Sequence, residues 1–264
     1  MARRLGQQEA AFMAYVQMRG LRTVRSGDLV GPLKLSTKQE RGLLSRMDRR
    51  GLIARVRRGL YLVPARLPLG GIWTPDEACA IGALMADREA RYQVTGPTAF
   101  SRYGFDRQIP ARVSVYNDAI SGDRTIGRVE LSLIKVKVER LGDTEQAETT
   151  SGESLPYSSR VRTLVDAVYD WSRFDSLPRA YDWIRGELES GRVDAAALAT
   201  SAVRYGNRGT VRRIGAILEK LGTTENLLAR LARALTPSGA KIPLVPDRPI
   251  RGELMKRWRV VDNA

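Results

Sequence analysis

The chain of 264 residues contains no histidine and a single cysteine, Cys79. Without histidine, Ser-His-Asp and Cys-His catalysis, HExxH zinc sites and imidazole general bases are all excluded. One cysteine excludes an internal disulfide, and Cys and His together cannot supply the four ligands of a structural zinc site. Cys79 lies in EACAIGALM and reads as a small buried hydrophobe rather than a nucleophile. Long apolar runs are also missing. No stretch approaches the roughly 18 residues of a membrane span, and the start, MARRLGQQEA, lacks the apolar core of a signal peptide. A soluble, cytoplasmic protein with no membrane partner is expected.

Acidic residues are scarce. The 29 Asp and Glu stand against 44 Lys and Arg, a formal charge of +15 and a pI near 10.5, which calls for a polyanionic partner. The excess is uneven: residues 1–66 hold 15 basic against 4 acidic side chains, residues 67–150 hold 10 against 12, and residues 151–264 hold 19 against 13. With 43% hydrophobic residues the chain can bury a sizeable core, and its length suits two domains.

The basic N-terminal quarter also carries the most informative pattern, STKQERGLLSRMDRRGLIARVRRGLYLVP from Ser36 to Pro64. Ser36 followed three residues later by Gln39 is a capping box, so a helix is expected to begin there. Leu43, Leu44 and Met47 make its apolar face, while Lys38, Arg41, Ser45 and Arg49 fall on the opposite side. Gly51 stops it. Leu52–Val56, the turn Arg57-Arg58-Gly59 and Leu60–Val63 then read as a hairpin. Upstream, Gln7–Met18 predicts a first helix, and Arg25–Val30 a short second one closed by Gly31-Pro32. Helix, short helix, longer helix and hairpin is the order of a winged helix. On that reading Lys38, Arg41, Ser45 and Arg49 enter the major groove, and Ser36 and Thr37 meet a backbone phosphate. Arg55, Arg57 and Arg58 on the wing hold phosphates or reach the minor groove.

Between Pro64 and Pro75, ARLPLGGIWTP reads as an interdomain linker, placing a boundary near residue 66 between domains 1–66 and 67–264. Beyond it, Asp76–Ala90 predicts a helix, Arg112–Tyr116 and the two arms around Gly127 predict strands, and a Gly-Pro turn starts a helix at Thr98. The polar stretch Gly142–Ser154 predicts an exposed loop. Helices follow over Arg160–Trp171, Ala180–Leu188, Ala195–Val203, Thr210–Gly222 and a segment capped by Thr224, with a last strand in KRWRVVDN. The fold class expected is therefore α+β, an N-terminal winged helix-turn-helix domain followed by a mixed α/β domain.

Material for an enzyme is thin. Asp87-Arg88-Glu89 and Glu187-Leu188-Glu189 have the i, i+2 spacing of paired metal-binding acids but lie on predicted helices, where they point apart and read as surface charges. Ser121-Gly122-Asp123 lacks a second acid, and no GxxxxGK[ST] loop is present. No catalytic residue, metal or cofactor is expected. Arg212-Arg213 is placed either against the Asp166 helix as an ion pair, the preferred reading, or on phosphate.

At RRGLYLVP, and again at TGPTAFSRYGF, SSRVRTLVDAVYD, TVRRIGAILEKLG and LTPSG followed by KRWRVVDN, the sequence resembles the AbiEi-family antitoxins of AbiE-type, type IV toxin-antitoxin systems. The resemblance implies a winged-helix domain that binds inverted repeats in its own promoter and represses it, with two copies, a homodimer, on the DNA. It also implies a C-terminal domain that counteracts a nucleotidyltransferase-like toxin, without a stable complex between the two. Arg212 and Arg213, on the basic helix Thr210–Gly222, are the residues put forward for antitoxicity. A reading of another class remains open, a winged-helix regulator whose C-terminal domain senses a ligand or dimerises.

Overall fold

The computed structural model describes residues 5–67, 72–149, 152–236 and 239–263. It opens with α1 (Gln7–Met18) and β1 (Thr23–Arg25). The short helix expected over Arg25–Val30 does not form; the chain runs through successive hydrogen-bonded turns as far as Lys34. The cause lies on the next helix, α2 (Thr37–Arg49). The fully buried carboxylate of Glu40 accepts from the amides of Gly27 (2.8 Å) and Leu29 (2.9 Å), and Asp28 accepts from the Arg25 amide at 2.7 Å. Side chains therefore hold the amides of this segment, among them that of Leu29, which a helical ladder would have used.

The capping box forms as expected: Ser36 Oγ accepts from the Gln39 amide and Gln39 Oε1 from the Ser36 amide. Leu43, Leu44 and Met47 pack with Phe12, Val16 and Leu29. β2 (Ala54–Arg57) and β3 (Leu60–Leu62) make the hairpin around Gly59, and β1 adds to it, giving a three-stranded antiparallel sheet in the order β1-β3-β2.

After α3 (Glu77–Asp87), whose first turn is capped by the Asp76 carboxylate, comes β4 (Tyr92–Val94). α4 (Gly96–Arg102) starts two residues before Thr98, because Pro97 already has the φ of a first helical turn. β5 (Val113–Asn117), β6 (Gly122–Ile126) and β7 (Val129–Lys135) follow. The expected loop over 142–154 instead contains β8 (Thr144–Glu148), which pairs antiparallel with β9 (Ser154–Ser158). β8 is an edge strand with only Ala147 buried, so pairing rather than apolar content defines it, and its charged residues suit an edge. The six strands lie in the order β6-β7-β5-β4-β9-β8, with β5–β7 and β4–β9 parallel.

Alternation along the strands covers both faces. Val113, Val115, Leu131 and Leu133 point to a cluster with α3 that also takes Ala54, Val56, Leu60 and Leu62 of the hairpin. Tyr116 and Ile134 point the other way, into a helical layer. That layer consists of α5 (Arg160–Tyr169), α6 (Trp171–Phe174), α7 (Arg179–Glu189), α8 (Ala195–Tyr205), α9 (Arg208–Lys220) and α10 (Glu225–Arg233). Thr224 occupies the N-cap position of α10, but its side chain makes no capping bond. A small sheet closes the chain: β10 (Ile242–Pro243) and β11 (Glu253–Met255) flank β12 (Val260–Asp262). It is held to α9 through Trp258, whose ring lies where a Cβ on Gly215 would stand. The whole is a mixed α+β fold, and among the described residues no helix is long and apolar enough to cross a membrane.

One buried polar network fastens α5 to the sheet. Asp166, fully buried, accepts from Arg162 Nε (2.8 Å), Arg140 Nη2 (2.6 Å), Thr95 Oγ1 (2.9 Å) and Ser158 Oγ (3.0 Å). Burial alone would raise its pKa; the Arg162 and Arg140 charges, with the hydrogen bonds, hold it below the usual carboxylate value.

Candidate nucleic-acid interface

The apolar stripe of α2 fixes which side chains face outward. Thr37, Lys38, Arg41, Ser45 and Arg49 are all exposed, and Lys38, Arg41 and Arg49 make no ion pair among the described residues. Arg49 Nε donates to the Ser45 carbonyl at 3.3 Å, which lays its stem along the helix. Ser36 is exposed too, with its hydroxyl engaged at the helix cap. Gly42 faces no tight neighbour except the tip of the flexible Arg46 side chain, 3.3 Å from where a Cβ would stand, so packing does not demand glycine there.

Several contacts set the hairpin relative to this face. Asp48 Oδ1 accepts from the Arg55 amide at 3.0 Å, tying the end of α2 to β2. Arg50 pairs with Glu9 of α1; burial raises the Glu9 pKa, but its bonds to the Gly6 amide and Arg50, with nearby positive charge, leave it lowered. Arg55 and Arg58 are exposed, and their guanidinium groups pair with no acid among the described residues.

Arg57 differs from the expectation. Its guanidinium is clasped by Asp87 at the end of α3, Nε to Oδ2 at 2.5 Å and Nη2 to Oδ1 at 2.6 Å, and Arg25 joins the same carboxylate at 3.1 Å. The Arg57 bond is the main influence lowering the Asp87 pKa. Arg57 thus tethers the hairpin to α3 and is not a free phosphate ligand. The sequence could not show this, because Asp87 lies 30 residues away and read only as a surface charge.

A group missed in the sequence comes from the β6–β7 turn. Gly127, at φ +63°, lets this turn approach Pro75 and Ala54, where any Cβ would lie 2.8 Å from the proline ring. The approach brings Arg128 and Thr125 to a cleft of about 650 Å³ shared with Arg49, Arg50 and Arg55. The TIGR motif carried a signal for the turn but none for its neighbour.

Arg212 and Arg213 are not exposed and do not pair with Asp166. Arg212 Nε donates to the Trp258 carbonyl at 2.5 Å, and its Nη2 donates to the carbonyls of Ala240 (2.8 Å) and Arg259. Arg213 Nε donates to the Pro243 carbonyl at 3.3 Å. Both serve the small C-terminal sheet, because Asp166 already has two other arginines.

Of the acids weighed for metal chemistry, Asp87 and Glu187 are ion-pair partners. Asp87 is held as described, and Glu187 is buried between Arg160 (3.0 Å) and Arg192 (2.8 Å). One grouping arises only in three dimensions: the ligand atoms of Asp76, Cys79 and Glu153 lie within 4.8 Å of one another. Burial, with Asp76 and Glu153 adding to it, pushes the half-buried Cys79 thiol up to about 12, so it is not a ready nucleophile.

Comparison with known proteins bears on this same segment. Residues 12–64 match the family model described as "Transcriptional regulator, AbiEi antitoxin". The fold is similar to that in the crystal structure of the RV2827C protein from Mycobacterium tuberculosis, with a TM-score of 0.63 and 13% identity over 99% of this chain and 93% of that one. At that identity the likeness is one of fold. No curated protein matches the chain.

Proposed function

With residues 12–64 matching the AbiEi antitoxin regulators, we propose that the chain is a sequence-specific DNA-binding antitoxin that represses its own operon. Residues 1–66 act as a winged helix-turn-helix domain, with α2 in the major groove and the β2–β3 hairpin as the wing. The observation that carries this reading is the row of exposed, acid-free cations Lys38, Arg41 and Arg49 beside Arg55 and Arg58, all within the matched segment. Arg41 is placed to pair with guanine, and Ser45 to reach a base edge or phosphate. Thr37 meets a phosphate with the helix dipole behind it. Arg55 and Arg58 hold the backbone on the wing side. Two copies read inverted repeats in the promoter. Residues 67–264 counteract a nucleotidyltransferase-like toxin encoded alongside, without a stable complex and without chemistry of their own.

The test is binding of the full chain to a duplex from upstream of its own gene, against a scrambled duplex, across a salt series. Phosphate contacts give a log–log slope of about −0.9 each, and specific recognition gives a gap of about 10³ or more between the duplexes. Equal affinity for the two at every salt concentration overturns the repressor reading.

A further inference from the structure

The C-terminal region holds a concentration of positive charge that the DNA-binding reading does not use. A cleft of about 300 Å³ opens between α9, the end of α10 and the turn before β12; Arg208, Arg212, Lys256, Arg257 and Arg259 line it, and among the described residues no carboxylate does. At the rim, Arg257 is neutralised by Glu225 (2.6 Å) and Glu219 (3.7 Å). The others meet no acid among the described residues. Among the described residues, Arg212 is bonded only to backbone carbonyls and Arg259 donates to the Gly239 carbonyl while its buried Nε meets no acceptor; Arg208 and Lys256 are exposed.

Burial, and then the like charges of Arg213, Arg259 and Arg208, pull the Arg212 guanidinium below its usual pKa. Cations held together in this way repel one another, and a bound anion relieves the repulsion. Arginine forks and a lysine point charge suit phosphate oxygens, and the N-terminal end of the 13-residue α9 contributes its dipole from the same side.

We propose that this cleft binds a small polyphosphate anion, either free inorganic triphosphate or the phosphate chain of a nucleotide, through Arg208, Lys256 and Arg259. The volume is at the small end for ligand sites and too small for a duplex. Trp258 is only 1% exposed, so it offers a base no stacking platform and recognition falls on the phosphates.

Titration calorimetry of the full chain with inorganic tripolyphosphate, and in parallel with ATP, at about 0.15 M salt tests the site. Saturable one-site binding is expected. It weakens by about tenfold or more in Arg208→Ala/Lys256→Ala, where two charge-assisted contacts are lost, and is unchanged in Arg41→Ala/Arg58→Ala. Both residues changed at the cleft are exposed, and an unaltered melting temperature without ligand shows that the fold is kept. Equal affinity for the two ligands assigns the phosphate chain alone, and tighter ATP binding assigns a nucleotide. Absence of saturable binding, or binding that the double variant retains, overturns the proposal. Loss of duplex binding in step with tripolyphosphate binding also overturns it, since the cleft would then belong to a nucleic-acid surface.

Discussion

α2 and α9 look alike in sequence, each a 13-residue amphipathic helix studded with arginine, yet they use the charge in opposite ways. On α2 the apolar stripe is narrow, and Lys38, Arg41 and Arg49 stand in solvent without acidic partners. On α9 burial extends from Thr210 to Leu218, and Arg212 and Arg213 are drawn inward to cap carbonyls of the terminal sheet. A basic helix thus keeps its cations in solvent where no neighbouring segment offers carbonyls that draw them in. Where one does, arginine becomes mortar.

The sharpest break in this contrast is expected deepest in the helical layer. Asp166→Ala leaves Arg162 and Arg140 without their carboxylate and is expected to lower stability by about 3–5 kcal/mol in denaturant unfolding. Because the folded-state pKa of Asp166 lies below the usual value, its contribution is present above about pH 4 and is lost as pH falls through the lowered value. The acid limb of a stability–pH curve should therefore flatten in Asp166→Asn. Arg212→Ala is next, about 2–3 kcal/mol, since the carbonyls of Trp258, Ala240 and Arg259 each lose a guanidinium donor. At temperatures where this variant stays folded, its affinity for DNA should match that of the parent, and a selective loss of DNA binding would undo the contrast between the helices.

On α2 the proposed function reverses the ranking, with little stability at stake and recognition carrying the effect. Arg41→Ala is expected to leave the melting temperature in place and to cost about 1–3 kcal/mol of discrimination between operator and scrambled duplex. Arg58→Ala has the smallest effect, a nearly uniform weakening on all duplexes with the salt slope reduced by about 1.

Much of this was legible in the residues. Ser36 and Gln39 announced a helix start through local hydrogen-bond chemistry, Asp76 and Glu77 marked the start of α3 as carboxylates at the positive end of a helix dipole, and alternation gave β5, β6 and β7. What stayed hidden depended on partners distant in sequence. Glu40 removes the helix expected at 25–30 because it reaches back 11 to 13 residues for two amides. β8 exists because β9 pairs with it, which composition does not reveal. At the candidate interface the exposed set on α2 followed from periodicity alone, whereas the capture of Arg57 by Asp87 and the arrival of Arg128 through Gly127 required the fold.

The hairpin has two dry sides to keep. Its β1–β3–β2 sheet closes the N-terminal core, while Ala54, Val56, Leu60 and Leu62 are buried with α3 and the six-stranded sheet. Modularity is limited as a result: a fragment cut near residue 66 would show water an oily patch of four side chains, and transplanting the N-terminal unit onto another body would require carrying α3, with Asp87 to grip Arg57, along with it. Swaps made at the Pro-Gly stretch are expected to aggregate, whereas swaps made after residue 90 are expected to stay in solution.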